Sequence, residues 1–358
     1  MSLTEFHRLV IADRRQETED AVSLAFKVPE ALQARFAFQP GQYLTLRAVL
    51  DGQEVRRSYS ICSGSGDGEL RVAIRHVPGG AFSGLATRAL REGDAIEVMP
   101  PQGRFGAIDD AGAGRLYLGL AAGSGITPVI AILKTVLARQ AGSRFVLLYG
   151  SRTTANILFR GELEDLKDRY LDRLTVVHAL SREAQDIAAL NGRLDGAKLR
   201  TLLPGLAAPG EIDQAFVCGP AGMLDELPGV LAGLGVAAGR IQVERFVAGA
   251  PAGVRGAVAV TVGTPAAAVA TIVHDGSTRD VAVAAGETVL DAALRAGMAL
   301  PWSCHGGMCS TCRARVTQGE VRMAVNFSLE PWEVAAGYAL TCQAHPASAR
   351  LVVDYDHL

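Results

Sequence analysis

The sequence predicts a multidomain protein: an antiparallel β-barrel or sandwich, then an α/β domain on a parallel sheet, then a small metal-binding module. Three observations carry this reading. Up to about Phe105, short apolar and β-branched runs alternate with Gly and Pro, as in Gln42 to Ala48, Glu54 to Ile61 and Leu70 to His76, the pattern of antiparallel strands. From Arg115 the chain switches to strand, glycine turn, helix and strand: Leu116 to Leu120, Ala121 to Gly125, Pro128 to Arg139, Phe145 to Tyr149. Repeated through Leu174 to Leu180 and Ala215 to Cys218, this reads as βαβ units. Near the C-terminus, Cys304, Cys309 and Cys312 fall within nine residues and Cys342 follows thirty later.

A length of 358 residues suits two or three domains. With 49% apolar residues and a formal net charge of −2, the chain can bury cores and shows no nucleic-acid footprint. No apolar run is long enough to span a bilayer; the richest, Leu116 to Leu133, is broken by Gly-Ser-Gly and Pro128. Met1 to Val10 carries charges and no apolar stretch of a secretory signal, so the expected location is the cytoplasm and disulfides are not expected.

Between Val247 and Ala270 the composition falls to Ala, Gly, Val and Pro with almost no charge, which reads as a linker, with a strand in Ala257 to Val262 as the alternative. The expected boundaries are 1–110, 111–247, a linker at 248–265, and 266–358. In the last segment Val269 to Val273 and Thr278 to Val283 form a predicted hairpin around Asp275-Gly276. A helix over Thr288 to Ala296 then delivers the chain to the cysteines.

The cysteine spacing is C-x4-C-x2-C…C, that of plant-type [2Fe-2S] ferredoxins. Four thiolates hold two irons only if the chain loops tightly, and Gly306 and Gly307 allow the turn and aim backbone N–H groups at sulfur. A structural zinc site pairs its ligands twice and fits this spacing poorly. Arg313 and Arg315, just beyond the loop, are expected to stabilise the reduced cluster.

Arg57-Ser58-Tyr59-Ser60 lies in a predicted strand, with Arg57 and Tyr59 on one face and Ser58 and Ser60 on the other. A flavin needs such residues together: a cation for the pyrophosphate, an aromatic for the isoalloxazine, a hydroxyl near N5. Alone, the four residues favour an ordinary amphipathic strand. Two further segments shift that balance, Pro40 to Tyr43 and Gly79-Gly80-Ala81-Phe82-Ser83; the latter opens a predicted helix whose free N–H groups suit phosphate.

Gly123-Ser124-Gly125-Ile126-Thr127-Pro128 follows an apolar strand and precedes a helix, suiting close approach to a pyrophosphate, although it is not G-x-G-x-x-G. Ser151 and Arg152 end the next strand, where a hydroxyl and a cation suit a 2′-phosphate and hence NADPH; a solvated turn is the alternative. Cys218-Gly219-Pro220 closes another apolar strand, where a lone Cys is usually a small hydrophobe, as Cys62 is expected to be. Glu244-Arg245-Phe246 offers a carboxylate and a ring for a flavin, or simply a charged domain edge.

Taken together, Arg57 to Ser60, Gly79 to Ser83, Gly123 to Pro128, Cys218 to Pro220 and Glu244 to Phe246 resemble, in order, the motifs of the ferredoxin-NADP reductase superfamily. With the C-terminal cysteines, the chain is similar to reductase components of bacterial oxygenases, above all the family of phenylacetyl-CoA epoxidase (phenylacetate-CoA oxygenase) reductase subunits. Phe38 to Gln42, Pro101 to Phe105 and Asn326 to Pro331 extend the likeness over nearly the whole chain. It implies a flavin (FAD)-binding β-barrel, an NAD(P)-binding α/β domain and an α+β (β-grasp) ferredoxin domain. It further implies that Arg57 contacts the FAD pyrophosphate, Tyr59 the isoalloxazine and Ser60 the N5 region, while Thr127 and Cys218 meet the nicotinamide. His305 departs from the Lys or Arg that relatives often carry beside the first ligand.

The expected path runs from NADPH to FAD, to [2Fe-2S], to a partner oxygenase component of di-iron type docking near the cluster loop. The expected catalytic set is Ser60, Thr127, Cys218 and Glu244. Two alternatives remain at this stage: an FMN- and NADH-using reductase of another aromatic-ring oxygenase, and a non-enzymatic metal-binding module.

Overall fold

The structure, a computed structural model, describes residues 5–106, 108, 114–246 and 266–356. Two compact units are present, one drawn mostly from residues 6–246 and the other from the C-terminal part of the chain. The expected linker, and the alternative strand within it, lie outside the described residues.

The first unit opens with strands β1 (His7–Thr18), β2 (Ala21–Lys27), β3 (Tyr43–Leu50), β4 (Gln53–Ser60), β5 (Leu70–Arg75) and β6 (Ala95–Gln102), with helix α1 (Ala81–Arg88) between the last two. They form one antiparallel sheet in the order β4-β3-β6-β1-β2-β5. A bridge from Ile61 to Val72 brings the end of β4 back to β5, curling the sheet into the barrel alternative rather than the sandwich. Leu9, Val22, Leu24, Leu44, Val72 and Val98 fill its interior. Period-two alternation directs these residues inward, and several of their neighbours, among them Ser23, Thr45 and Arg71, are buried on the opposite face.

The same unit continues as β7 (Leu116–Ala122), α2 (Ile126–Arg139), β8 (Arg144–Ser151), α3 (Arg160–Arg169), β9 (Leu174–Leu180), α4 (Gly196–Leu206), β10 (Ile212–Gly219), α5 (Ala221–Gly233) and β11 (Ile241–Arg245). The parallel sheet runs β11-β10-β7-β8-β9. Its central strands are apolar without alternation because helices cover both faces. Every residue of α2 from Ile126 through Leu137 is buried, as expected of a helix apolar almost all round. Lys134 is tolerated there because it pairs with Asp67 at 2.6 Å and Glu162 at 2.7 Å. Among the described residues, no helix is long and apolar enough to cross a membrane.

The second unit contains β12 (Ala266–His274), β13 (Ser277–Ala284), α6 (Val289–Arg295), β14 (Arg313–Gln318), β15 (Val321–Met323), α7 (Pro331–Ala335), β16 (Tyr338–Leu340), β17 (Ala344–Pro346) and β18 (Arg350–Asp354). Its main sheet is mixed, β13-β12-β18-β14-β16, with β12 and β18 parallel. Leu290 and Ala293 of α6 join Ile272, Val283, Leu351 and Val353 in one core. The Thr288 hydroxyl caps α6 by accepting from the Asp291 N–H at 3.1 Å. The loop bearing the clustered cysteines lies between α6 and β14.

Candidate redox site

The parallel sheet reverses its order between β7 and β10, and in open α/β sheets the crevice at the carboxyl ends of such a pair is where ligands bind. Two predicted motifs flank it. After β7 the chain makes a single 3-10 turn over Gly123–Gly125 and enters α2 without a side-chain cap. Cys218 and Gly219 end β10 and Pro220 follows, and Cys218 is in register with Ala121 of β7. A methyl group on Gly125 would lie 2.2 Å from the Cys218 carbonyl oxygen, so only glycine allows the two backbones to approach this closely. Thr127 is buried, its hydroxyl donating to the Ser124 carbonyl at 3.0 Å. The Tyr149 hydroxyl braces the turn by donating to the Gly123 carbonyl at 3.0 Å.

Cys218 also stands opposite Glu244 on β11. Glu244 keeps some solvent contact yet lies deep among protein atoms, and the lost hydration raises its pKa to about 8. Burial pushes the Cys218 thiol well above its ordinary value, so it is no thiolate here. Phe246 packs its ring against the core beneath α2. Because folded Glu244 holds a proton that the unfolded chain releases near pH 4.5, stability falls as pH rises from there to about 8. Glu244→Gln is expected to flatten that slope, gaining on the order of 1–3 kcal/mol at the alkaline end. Urea unfolding at acid and mildly alkaline pH measures it; parallel slopes for both proteins would mean the carboxyl ionises normally.

On the barrel, β4 carries Arg57, Ser58, Tyr59 and Ser60, of which Ser60 is buried. Arg57 Nη1 donates to the Arg56 carbonyl at 2.7 Å. The Tyr59 ring leans on Phe82 of α1 with centroids 5.7 Å apart. Gly80 caps α1 with extended backbone. The Ser83 hydroxyl is already engaged: it accepts from the Val77 N–H at 3.1 Å and donates to the Gly80 carbonyl at 3.2 Å. It therefore holds the Gly79–Gly80 turn in shape. Cys62 is a buried small hydrophobe, as expected.

Ser151 is buried and Arg152 exposed, at the end of β8. Arg152 Nη2 donates to Asp20 Oδ2 at 2.9 Å, and Arg75 Nε donates to the same oxygen at 2.9 Å. A cleft of about 420 Å³ opens there, lined by Glu19, Asp20, Arg152, Thr153, Asn156 and Arg182. Sequence reading missed Asp20 and Arg75. No local spacing signals them, since Asp20 is 132 residues from Arg152 and 55 from Arg75.

In the second unit the four cysteines gather in two pairs, Cys304 with Cys309 and Cys312 with Cys342. Two thiolates for each of two irons is what a [2Fe-2S] cluster requires. Among the described residues, no three His, Cys, Asp or Glu side chains converge as ligands of a single ion would. A hydrogen bond from Cys309 and the N–H groups of Gly306, Met308 and Cys309 lower the Cys304 pKa to about 6 despite burial. The Gly306 N–H lies 3.3 Å from Cys304 Sγ. Cys342 is lowered by Cys312, then by the Gly307 N–H and Gln343. Donors aimed at buried sulfur are what a cluster with anionic thiolates needs, so these residues fit the group.

The turn is made by Gly307 at φ +74° and, unforeseen from sequence, by His305 and Ser310 at φ +50° and +52°. Gln343 Nε2 donates to the His305 carbonyl at 2.8 Å, fastening the loop to the segment that delivers the fourth cysteine. The His305 ring meets Trp302 edge to face, with centroids 4.3 Å apart. Arg313 is committed elsewhere than expected: it pairs with buried Glu333 and lies over the Tyr338 ring. Arg315 donates to the Ala336 carbonyl at 3.3 Å.

Comparison with known proteins identifies the domains that carry these residues. Residues 8–106 match the oxidoreductase FAD-binding domain, 120–227 the oxidoreductase NAD-binding domain, and 272–347 the 2Fe-2S iron-sulfur cluster binding domain. The chain is 45% identical over 355 residues to one subunit of the 1,2-phenylacetyl-CoA epoxidase of Escherichia coli, covering 99% of each. It is 34% identical to the 3-ketosteroid-9-alpha-monooxygenase ferredoxin reductase component of Rhodococcus rhodochrous, covering 95% of this chain and 94% of that one.

Among solved structures, phthalate dioxygenase reductase covers 98% of both chains with a TM-score of 0.57 at 23% identity, a likeness of fold. A type IV self-sufficient cytochrome P450 monooxygenase gives a TM-score of 0.69 at 22% identity; the match takes in 97% of this chain but only 41% of that one. The protein is thus an NAD(P)H-dependent oxidoreductase that uses FAD and a [2Fe-2S] cluster, which excludes a non-enzymatic metal-binding module. By sequence over its whole length and by the order of its three domains, the chain belongs to the ferredoxin-NADP reductase superfamily, among the members that end in a [2Fe-2S] ferredoxin domain.

Proposed function

We propose that the chain is the NADPH-dependent reductase of a phenylacetyl-CoA epoxidase and passes electrons to a di-iron oxygenase component in phenylacetate degradation. The observation that carries this is the end-to-end match at 45% identity to the E. coli epoxidase protein, against 34% for the ketosteroid reductase. That weaker match, with the glycine betaine monooxygenase reductase subunit of Pseudomonas aeruginosa at 32%, supports the second reading, a reductase for a different oxygenase.

When bound, FAD exchanges the two electrons of a hydride for single electrons, and the cluster carries one at a time. The residues supply position. Arg57 holds the FAD pyrophosphate, Tyr59 covers the isoalloxazine, and Ser58 and Ser60 flank the reactive edge, with Ser60 toward N5. Gly80 and the turn stapled by Ser83 receive phosphate. Gly123, Gly125 and Pro128 shape the nicotinamide crevice, and Thr127, Cys218 and Gly219 line it. No group is needed to move a proton with the hydride, and the neutral Cys218 thiol suits that role. Glu244, protonated at neutral pH, and Phe246 close the far side and keep charge and water from the atoms that exchange the hydride. Ser151 and Arg152 receive the 2′-phosphate that distinguishes NADPH.

Cys304, Cys309, Cys312 and Cys342 hold the cluster, and the partner docks transiently beside their loop. These roles fall in a barrel domain at 1–110, an α/β domain at 111–247 and, past the linker at 248–265, a ferredoxin domain at 266–358. The test is reconstitution with the purified oxygenase component of a phenylacetyl-CoA epoxidase. NADPH consumption is expected to couple to phenylacetyl-CoA consumption. Brisk reduction of a dye without coupling, alongside coupling to an aromatic-ring hydroxylase component, would establish the second reading instead.

A further inference from the structure

Asp20 sits in the two-residue turn between β1 and β2, on the barrel, yet its carboxylate serves the nucleotide side. Oδ1 accepts from the Thr18 hydroxyl at 2.8 Å. Oδ2 accepts from Arg75 and Arg152, both at 2.9 Å. The two arginines come from different sheets: Arg75 ends β5 of the barrel, and Arg152 follows β8 at the carboxyl end of the parallel sheet. Arg75 Nη1 would be 3.3 Å from a methyl placed on Gly123, beside the turn after β7. Arg75 Nη2 is buried with no hydrogen-bond partner among the described residues, a donor left for an incoming group. The cleft sets Arg152 and Arg182 against two acids, Glu19 and Asp20.

A site that selected a 2′-phosphate by arginines alone would not place a carboxylate on one of them. Phosphate and Asp20 compete for the same guanidinium, and like charges sharing it repel. An unphosphorylated ribose meets no such conflict, because its hydroxyl can donate to a carboxylate. We propose that Asp20 is a specificity-determining residue that restrains the preference for 2′-phosphorylated nucleotides by holding Arg152 until a phosphate displaces it. This rests on the reading of Arg152 as the 2′-phosphate ligand. Asp20 acts through Arg152, so it is a positioning residue.

Equilibrium titration of the FAD-loaded full chain with 2′-AMP and 5′-AMP tests this in wild type, Asp20→Asn, Arg152→Ala and the double variant. Asp20→Asn is expected to tighten 2′-AMP by about three- to fivefold, the scale of one part-exposed ion pair, and to leave 5′-AMP within about twofold. Combined with Arg152→Ala it should change neither ligand further, a dependence that a merely structural role would not show. Unchanged or weakened 2′-AMP binding in Asp20→Asn, or equal tightening of both ligands, overturns the role of Asp20 while leaving Arg152 as the ligand. A 2′-AMP preference that survives Arg152→Ala overturns the underlying reading and the proposal with it. If Asp20→Asn fails to retain FAD, Asp20→Ser gives the same comparison.

Discussion

Cys342→Ser is expected to abolish the visible absorbance of the cluster and electron delivery to the oxygenase component, while hydride-driven reduction of a flavin-directed dye persists. A serine hydroxyl ionises far less readily than a thiol and is a poor match for iron. Cys342 pairs with Cys312 and receives the Gly307 N–H and Gln343, so one substitution removes a ligand and scatters the donors arranged around it. Cys312 and Cys342 belong to the same core as Ile272, Leu290, Leu351 and Val353, and a serine of nearly the same size leaves most of those apolar contacts in place. The nucleotide crevice and the β4 strand face different chemistry and keep their reductase activity. Absorbance spectra, iron content and dye reduction on one preparation decide the matter. Loss of dye reduction together with the cluster would mean that electrons do not pass through separable stations.

Gly125→Ala should have the second largest effect, on the other half of the path. The added methyl meets the Cys218 carbonyl oxygen at 2.2 Å and its carbon at 2.5 Å, both backbone atoms that cannot swing away as a side chain would. The start of α2 and the end of β10 must then separate. Overpacking of this kind costs about 1–3 kcal/mol, and a displacement near 1 Å between reacting groups is enough to cost about 100-fold in rate. The expected outcome is a fall in kcat/KM for NADPH of at least about 100-fold, with the cluster spectrum intact. Activity within a few-fold of wild type would show that the crevice tolerates the shift and that the glycine has another purpose.

Much of this architecture is legible in residue order because local rules decide it. The period-two run through Leu70 to His76 and the uninterrupted apolar run of Leu116 to Leu120 both became strands, and both are buried on each face; in the first, Arg71 is buried by pairing with Glu69 and Asp13. Cysteine spacing likewise reports loop geometry directly. What could not be read was set by long-range pairing. Whether the N-terminal strands close on themselves depends on the bridge from Ile61 to Val72. Arg313 reads as a free cation beside the cluster, yet Glu333, twenty residues on, claims it. The Gly79 to Ser83 segment reads as a helix start with N–H groups for phosphate, but the Ser83 hydroxyl's bonds to the Val77 and Gly80 backbone, which shape that turn, carry no signal in the sequence. His305 and Ser310 turn in a left-handed conformation that their residue types do not announce.

The parallel pairing of β12 with β18 has a mechanical consequence. The first strand of the second unit and its last run side by side in the same direction, joined through five register pairs from Val269 with Arg350 to Val273 with Asp354. The chain therefore enters at one end of this ladder and leaves at the other. Tension applied between entry and exit slides the two strands past each other and shares the load across all their hydrogen bonds, where an antiparallel hairpin pulled at its open end would peel one bond at a time. A degradative machine hauling on the C-terminus must break the whole ladder before it reaches the cysteine loop, and the iron is surrendered only after that yield point.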